Sequence, residues 1–351
     1  MNEVRIINKV EKLHLFSKYK KIILFGSGGT CNLFLEQFSK NNQDIAYCVD
    51  NNQALWGKTV SLFSIRNPNS LLSEFKEKIY IIVTSAYYAE IKCQLQKMGF
   101  IEYVNFCSYS YVNNHFESFL IRRYQNIHRN ERAFIIGNGP SLRISDVEKL
   151  QNEITFGCNK IFLAFQETNW RPTYYALIDS MVMRNDNKKI QEIPSHKFIS
   201  NSLKQYFSQE EGVCWLKDKG DRKFSDDIVQ KAAGRYTVMF FIFQIAYFMG
   251  FTELYLLGVD FNYKDTQITG EQSSFGDIIG INQGEVNHFH HDYYKKGEKW
   301  NVPKINEQYI SFQTAHEFLN TNGVKVYNAS RETKLDVFPI VDFDTLVFKK
   351  M

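Results

Sequence analysis

No apolar run in the 351-residue sequence reaches the roughly 18–20 residues needed to cross a bilayer. The N-terminal stretch MNEVRIINKVEKLHLF alternates charge with apolar residues. It has no signal-peptide core, so a cytoplasmic protein is expected. Cysteines are few and scattered: Cys31, Cys48, Cys93, Cys107, Cys158 and Cys214 form no CxxC pair. That spacing argues against a zinc framework or a disulfide scaffold and suits small apolar residues of a core. Charge of one sign is also lacking. The net +4 from 42 basic and 38 acidic residues is too mild to argue for nucleic acid. No short-period repeat is present. The basic-aromatic C-terminal tip FKKM reads first as a solvated chain end and second as a point of peripheral contact with the inner membrane.

What the sequence does hold is core. Hydrophobic residues make up 44%, with 30 Phe and 20 Tyr, and the length suits two domains. Residues 1–20 read as an amphipathic helix. KIILFG, DIAYCVD, IYIIVTSA and IEYVNF then read as strands. GGTCNLFLEQFSKN, SLLSEFKEK and YYAEIKCQLQKMGF read as the helices between them. After a helical stretch over 109–131 the pattern restarts with RAFIIGNG, EITFGCN, PTYYALID, ELYLLGVDF and VKVYNAS as strands. VMFFIFQIAYFMGF reads as a helix apolar nearly all round, too short to span a membrane. Strand and helix alternating at this spacing imply parallel sheets with helices on both faces. The expected fold is α/β, two Rossmann-like domains with mainly parallel sheets. The expected division is 1–108 for a small domain, 109–131 for a helical linker and 132–351 for a larger catalytic domain.

Each unit opens with a strand that runs into glycine. In LFGSGGTCNLFLEQF, Gly26, Gly28 and Gly29 lie between strand and helix, where a backbone can turn and helix N–H groups can meet an anion. Asp50 ends the next strand, 21 residues past Gly29; in a dinucleotide fold such an acid holds a ribose hydroxyl. The spacing is GxGG rather than GxGxxG, so a turn kept for structure or regulation is the competing reading. VDNNQALWGKTV resembles the small Rossmann-like domains fused to sugar-modifying enzymes of surface-polysaccharide pathways. That resemblance covers about residues 20–106; a nucleotide or nucleotide-sugar at the first turn is what the glycines and Asp50 themselves suggest.

The second turn, IIGNGPSL, differs. Asn138 brings an amide that donates and accepts, Pro140 stiffens the turn, and Ser141 stands where a helix N-cap is expected. The Lys-Ser/Thr of a Walker loop is missing, which sets aside ordinary P-loop ATPase chemistry. Asn159, Asp179, Asp260 and Tyr263 each follow an apolar run, at strand ends where an open α/β sheet binds ligands. Together they suggest one site; taken singly, each reads as a turn or cap residue. KDTQITGEQSSFGDIIGINQGE, rich in Gly and polar residues, has the character of an active-site lid.

FIIGNGPSL, GCNKIFLAF and RYTVMFFIFQIAYFMGFTELYLLGVDFNY resemble two related groups. One is the bacterial lipooligosaccharide sialyltransferase family. The other is a broader group with Maf-type flagellin glycosylation proteins and archaeal 6-hydroxymethylpterin diphosphokinases. NHFHHDYY, VKVYNAS and KLDVFPIVDFD are most similar to polysaccharide-cluster members of the broader group. The resemblance covers about residues 130–345. It implies that Gly137, Asn138, Gly139, Ser141 and Asn159 hold a cytidine nucleotide. Thr237 matches a donor-contacting Thr, although the run here is Arg235-Tyr236-Thr237-Val238 where the family has Arg-Thr-Ser-Gly.

NHFHHDYYKKGEKW holds three of the eight histidines, His288, His290 and His291, beside Asp292. His288 and His290 have the i,i+2 spacing of a strand metal pair, and a packing loop is a further reading. Acid/base work is the reading preferred: an imidazole is tuned to take a hydroxyl proton near pH 7. The family's HYxxH pattern puts His288 at its first His and Asp292 at its catalytic position. The expected base is therefore His288 or His291, with Asp260 counted among the catalytic candidates and no metal. Tyr263, Tyr293 and Tyr294 are the candidate donors to a departing phosphate.

The resemblance implies a glycosyltransferase that moves a nonulosonic acid from a CMP-sugar to a glycan or glycoprotein acceptor, with no required cofactor. A homo-oligomer is expected. One alternative is diphosphoryl transfer from ATP to a hydroxymethylpterin, with Asp179 and Asp260 on Mg²⁺. The other is a non-catalytic subunit of a glycosylation system.

Overall fold

A computed structural model describes residues 20–38, 45–207, 212–218, 222–234, 236–264, 267–272 and 278–348. The expected helix over residues 1–20 therefore lies almost wholly outside the described residues, as do Arg235 and the tip Lys349, Lys350 and Met351. The structure is mixed α/β with two largely parallel, Rossmann-like sheets in two compact units, one ending at Ile127 and the other beginning at His128.

In the first unit β1 (Lys21–Phe25) runs into α1 (Gly29–Phe38), followed by β2 (Ile45–Val49), β3 (Thr59–Val60), β4 (Phe63–Arg66) and β5 (Ile79–Val83). Helix α2 (Tyr88–Lys97) and β6 (Phe106–Ser108) complete the sheet, in the order β3-β4-β2-β1-β5-β6. All pairings are parallel except β3 with β4. Strands β1 and β5 are almost wholly buried, as a parallel sheet covered on both faces requires. SLLSEFKEK, expected as a helix, forms two short 3₁₀ turns at Pro68–Ser73 and Lys76–Lys78. Asn67 caps the first with its side chain and Pro68 opens it, signals for a helical start with too few apolar positions behind them to continue. Residues 109–122 form α3 (Tyr109–Asn114) and α4 (Phe116–Arg122), whose Val112, Phe116, Phe119 and Leu120 pack in the core of this unit.

The second unit holds a seven-stranded sheet. Its elements are β7 (Arg132–Ile136), α5 (Ile144–Glu148), β8 (Thr155–Cys158), β9 (Tyr174–Leu177), α6 (Ser180–Glu192), β10 (His196–Ser200) and β11 (Val213–Leu216). Helix α7 (Val238–Met249) and β12 (Glu253–Leu257) follow. The described part of the lid-like segment enters a second sheet, in which β13 (Gln267–Gln272), β14 (Ile278–Ile281) and β15 (Lys299–Asn301) pair antiparallel. Helix α8 (Ile305–Thr321) and β16 (Lys325–Asn328) end the order. Every pairing in the large sheet is parallel.

From β7 the chain builds outward through β8 to β11 on one side, then crosses to β12 and β16 on the other. The strand order thus reverses between β7 and β12, and a crevice opens at such a switch point beyond the C-terminal strand ends. Every residue of helix α7 is buried except Tyr247, which is half-buried. This explains its nearly all-round apolar sequence. It ends at Gly250 with φ +89°, a left-handed stop that glycine adopts without strain. Among the described residues, no helix is long and apolar enough to cross a membrane.

Candidate active site

The turn after β7 runs against the end of β12. Gly137 N–H donates to Leu257 O at 2.8 Å and Gly139 N–H to Gly258 O at 2.8 Å. A Cβ at Gly137 would lie 2.3 Å from Gly258 O, and one at Gly139 would lie 2.5 Å from Asp260 Cγ. Close approach, rather than φ, is what demands glycine at both. Ser141 does not cap the following helix; Arg143 stands at that position. Ser141 turns instead to Asp260, donating its N–H to Oδ2 at 2.7 Å and its hydroxyl to Oδ1. Burial raises the Asp260 pKa above the ordinary carboxylate value, against the lowering effect of the two Ser141 bonds. Both carboxylate oxygens are thus engaged in holding the turn.

Asn138 reaches across to β8, its Nδ2 donating to Cys158 O at 3.1 Å, while its backbone carbonyl accepts from Phe289 N–H at 2.9 Å. Asn159, just past β8, has φ +48°, a left-handed conformation that Asn tolerates better than most residues. Asp179 is the N-cap of α6, accepting from Met181 N–H at 2.7 Å and Val182 N–H at 3.2 Å, and from Asn301 Nδ2 at 3.2 Å. Thr237 caps α7 by accepting from Met239 N–H at 3.2 Å.

These strand ends surround one cavity of about 560 Å³, within the range of ligand sites. Gly137, Asn138, Gly139, Asn159, Asp179, Thr237, Asp260, Tyr263, His288, Tyr293 and Tyr294 all line it. Ser141 lies behind the lining, and His291 is not part of it. Tyr263 sits at the rim, 40% exposed. Among the described residues, four buried polar atoms on the cavity lining have no hydrogen-bond partner: Asn138 Oδ1, Asn159 Oδ1, Asn301 Oδ1 and Trp300 Nε1. An unpaired buried polar group costs about 1–3 kcal/mol, so four at one cavity mark a place that a polar ligand or water completes.

The histidine loop closes one wall. His288 Nδ1 lies 2.9 Å from Glu285 Oε1, and its ring stacks on Tyr293 with centroids 3.7 Å apart and planes within 2°. Tyr294 and Trp300 meet the same ring edge-on. Burial lowers the His288 pKa below the ordinary imidazole value, and the Glu285 carboxylate opposes this only in part. The ring is therefore neutral at pH 7 and able to accept a proton. Burial raises the phenols of Tyr293 and Tyr294 well above their ordinary range, so both stay protonated as donors. Lys160 underpins the loop, donating to Tyr293 O at 2.7 Å and pairing with Asp186 at 3.1 Å and Glu298 at 3.3 Å.

His290, His291 and Asp292 offer donor atoms within 4.8 Å of one another, away from the cavity lining. The His291 side chain is 83% exposed. Asp292 N–H donates to His290 Nδ1 at 3.1 Å, which places the neutral ring's proton on Nε2 and suits a hydrogen-bonded turn better than ligation.

Sequence reasoning missed Glu285, Tyr236, Trp300, Asn301, Lys304 and Gln308. The last five line the cavity, and Glu285 holds its histidine. Only Glu285 left a readable signal, an acid three residues before His288. The others converge from the small antiparallel sheet, α7 and α8. Tyr236 has φ +80° and its carbonyl accepts from Gln308 Nε2 at 3.0 Å, a contact no local pattern announces.

The turn of the first unit is closed by its own acid. Asp50 Oδ2 accepts from Ser27 N–H at 2.9 Å and Ser27 Oγ at 2.7 Å, and Oδ1 accepts from Asn52 N–H at 2.9 Å. The carboxylate expected on a ribose therefore holds the turn. Gly26 has φ +107°, while Gly28 and Gly29 face open space.

A two-sheet α/β chain with a polar cavity at a switch point is the class these features define. Residues 109–266 match the family described as 6-hydroxymethylpterin diphosphokinase MptE-like, and residues 18–104 match the C2185-like N-terminal family. The chain thus carries an MptE-like domain behind a C2185-like N-terminal domain. No curated protein matches it. Among solved structures it is similar to the MAf glycosyltransferase from Magnetospirillum magneticum AMB-1, at 13% identity and a TM-score of 0.41 over 96% of this chain. The chain spans 63% of that protein's length. It is also similar to the sialyltransferase CstII from Campylobacter jejuni, solved with cytidine-5'-monophosphate. That likeness has 15% identity and a TM-score of 0.36, over 64% of this chain and 90% of that one.

Proposed function

We propose that the second unit is a glycosyltransferase that moves a nonulosonic acid from a CMP-activated donor to a hydroxyl of a glycan or glycoprotein. The observation that carries this reading is the meeting of the Gly137–Ser141 turn, the unpartnered amide oxygens of Asn138 and Asn159, and a neutral, half-buried His288 around one cavity. The amides and turn hold the nucleotide. His288 takes the acceptor proton as the bond between the anomeric carbon and the phosphate oxygen breaks and the new glycosidic bond forms. CMP leaves with its phosphate hydrogen-bonded by Tyr293, Tyr294 and, from the rim, Tyr263. Asp260 acts by holding the turn, not on the substrate.

The test is a thermal-shift and transfer assay with CMP and CMP-activated nonulosonic acids, with and without Mg²⁺. A metal-independent rise in melting point with CMP, and donor turnover lost in His288→Ala, are the expected results. Absence of binding and of donor hydrolysis under all conditions would overturn the proposal.

The MptE-like match over residues 109–266 favours a second reading, diphosphoryl transfer from ATP to a hydroxymethylpterin. That chemistry calls for Mg²⁺ on carboxylates. The acids at the cavity are already engaged: Asp179 caps a helix, both oxygens of Asp260 hold Ser141, and Asp218 Oδ1 accepts from Gly234 N–H. Magnesium-dependent formation of AMP from ATP would establish this reading over the first.

A further inference from the structure

The histidine loop carries a carboxylate whose contacts go beyond packing. Glu285 is 2% exposed at its side chain and accepts three N–H groups. Asn287 N–H (2.8 Å) and His288 Nδ1 (2.9 Å) meet Oε1, and Tyr294 N–H (3.1 Å) meets Oε2. Burial alone would raise its pKa, but the bonds from His288 and the backbone hold it below the usual carboxylate range. Two backbone N–H groups, one on each oxygen, favour its ionised form whatever the charge on His288. An ionised carboxylate accepts only, so the neutral imidazole carries its proton on Nδ1 and its lone pair on Nε2. One residue thus sets the tautomer of the ring and, through Tyr294, the segment that presents Tyr293 against its face.

We infer that Glu285 is a positioning residue for His288: it fixes the Nδ1–H tautomer and leaves Nε2 as the basic atom at the cavity. This deepens the proposed transfer reaction and rests on it for its consequence in catalysis, but the tautomer is a property of the free protein. In the transfer step the acceptor proton moves to Nε2, and the resulting imidazolium is stabilised across Nδ1–H by the Glu285 carboxylate. The charged groups that act on the ring are Glu285 beside it and Lys160 behind the stacked tyrosines, which lowers its pKa. Tyr293 and Tyr294, protonated, complete its titratable surroundings.

The experiment is ¹⁵N NMR of the histidine rings in the full chain without ligand, His288 being assigned by its loss in His288→Gln. The expected result is the Nδ1–H tautomer in the wild type. In Glu285→Gln mixed tautomers and a further fall in the ring's pKa are expected, with partial recovery in Glu285→Asp. An Nε2–H tautomer in the wild type, or a ring titration unmoved by Glu285→Gln, overturns the inference. The wild-type spectrum decides it even if the variant does not fold. With a CMP-activated nonulosonic acid, Glu285→Gln should lower kcat by about 10²-fold or more with KM for the donor little changed. The acid limb of the pH profile should move to lower pH, because the carboxylate that raises the ring's pKa is gone. An Nδ1–H tautomer without any transfer activity would sink the transferase reading and leave the positioning role standing. A kcat unchanged in an active enzyme would sink the positioning role alone.

Discussion

Asn159 combines a backbone role with an unpartnered amide oxygen at the cavity. Its φ of +48° lets the chain leave β8 sharply, and its Oδ1 is buried without a partner beside the cavity. The two uses separate by substitution. Asn159→Ala loses the amide and adds strain on the order of 1 kcal/mol. Asn159→Gly loses the amide without that strain. We expect a lowered melting point only in the alanine variant, and weakened CMP binding in both. Wild-type affinity in Asn159→Gly would show that the amide does not hold the nucleotide. Gly137 and Gly139 make the complementary point: their need for glycine comes from Gly258 and Asp260, about 120 residues away along the chain, so the motif was readable while its reason was not. Serine-carboxylate clamps occur at both turns, Ser27 with Asp50 and Ser141 with Asp260. In each the acid comes from the end of a neighbouring strand.

Among the elements, α7 best shows what local pattern conveys and what it hides. Its apolar composition announced a buried helix, and Thr237 and Gly250 mark its ends. Gln244, in the middle of that run, gave no hint of its task. Its Oε1 accepts from Ser225 N–H at 3.0 Å and Ala233 N–H at 2.9 Å, and its Nε2 donates to the carbonyls of Ala233 at 2.6 Å and Phe240 at 2.7 Å. It thereby fixes the irregular segment that leads to Gly234, which lines the cavity and donates its N–H to Asp218 Oδ1 at 3.2 Å. Gln244→Leu leaves those backbone groups unpaired in the core, and we expect a loss of about 2 kcal/mol or more in urea unfolding. Weakened nucleotide binding should accompany it. A variant as stable as the wild type would mean that the segment finds other partners. Strands β10 and β11 escaped the sequence reading because their apolar runs are short, as in HKFIS and VCWL, and helix α6 because charge interrupts its apolar positions. Parallel pairing with β9 and with each other supplies what propensity did not.

At the scale of the whole molecule, the cavity belongs to the second unit. Hydrogen exchange should therefore respond unevenly to CMP. Slowed exchange is expected over 137–141, 157–160 and 287–301, with no change over 20–127. Protection centred on residues 26–30 would instead assign the nucleotide to the first turn. The sequence by itself determined the alternation of strand and helix, the two glycine turns and the strand ends that bear Asn159, Asp179 and Asp260, because each follows from local periodicity and backbone freedom. Only the tertiary structure decided which polar groups hold the protein together and which are left for a ligand. Asp50, Asp179, Asp260 and Ser141 could each have faced a substrate, and each is bonded within the protein. Equally, three neighbouring histidines are equivalent as text, yet His288 alone lines the cavity, held by a buried carboxylate, while His291 points to solvent. Burial and hydrogen-bond partners come from residues distant in sequence, and they set what a side chain is free to do.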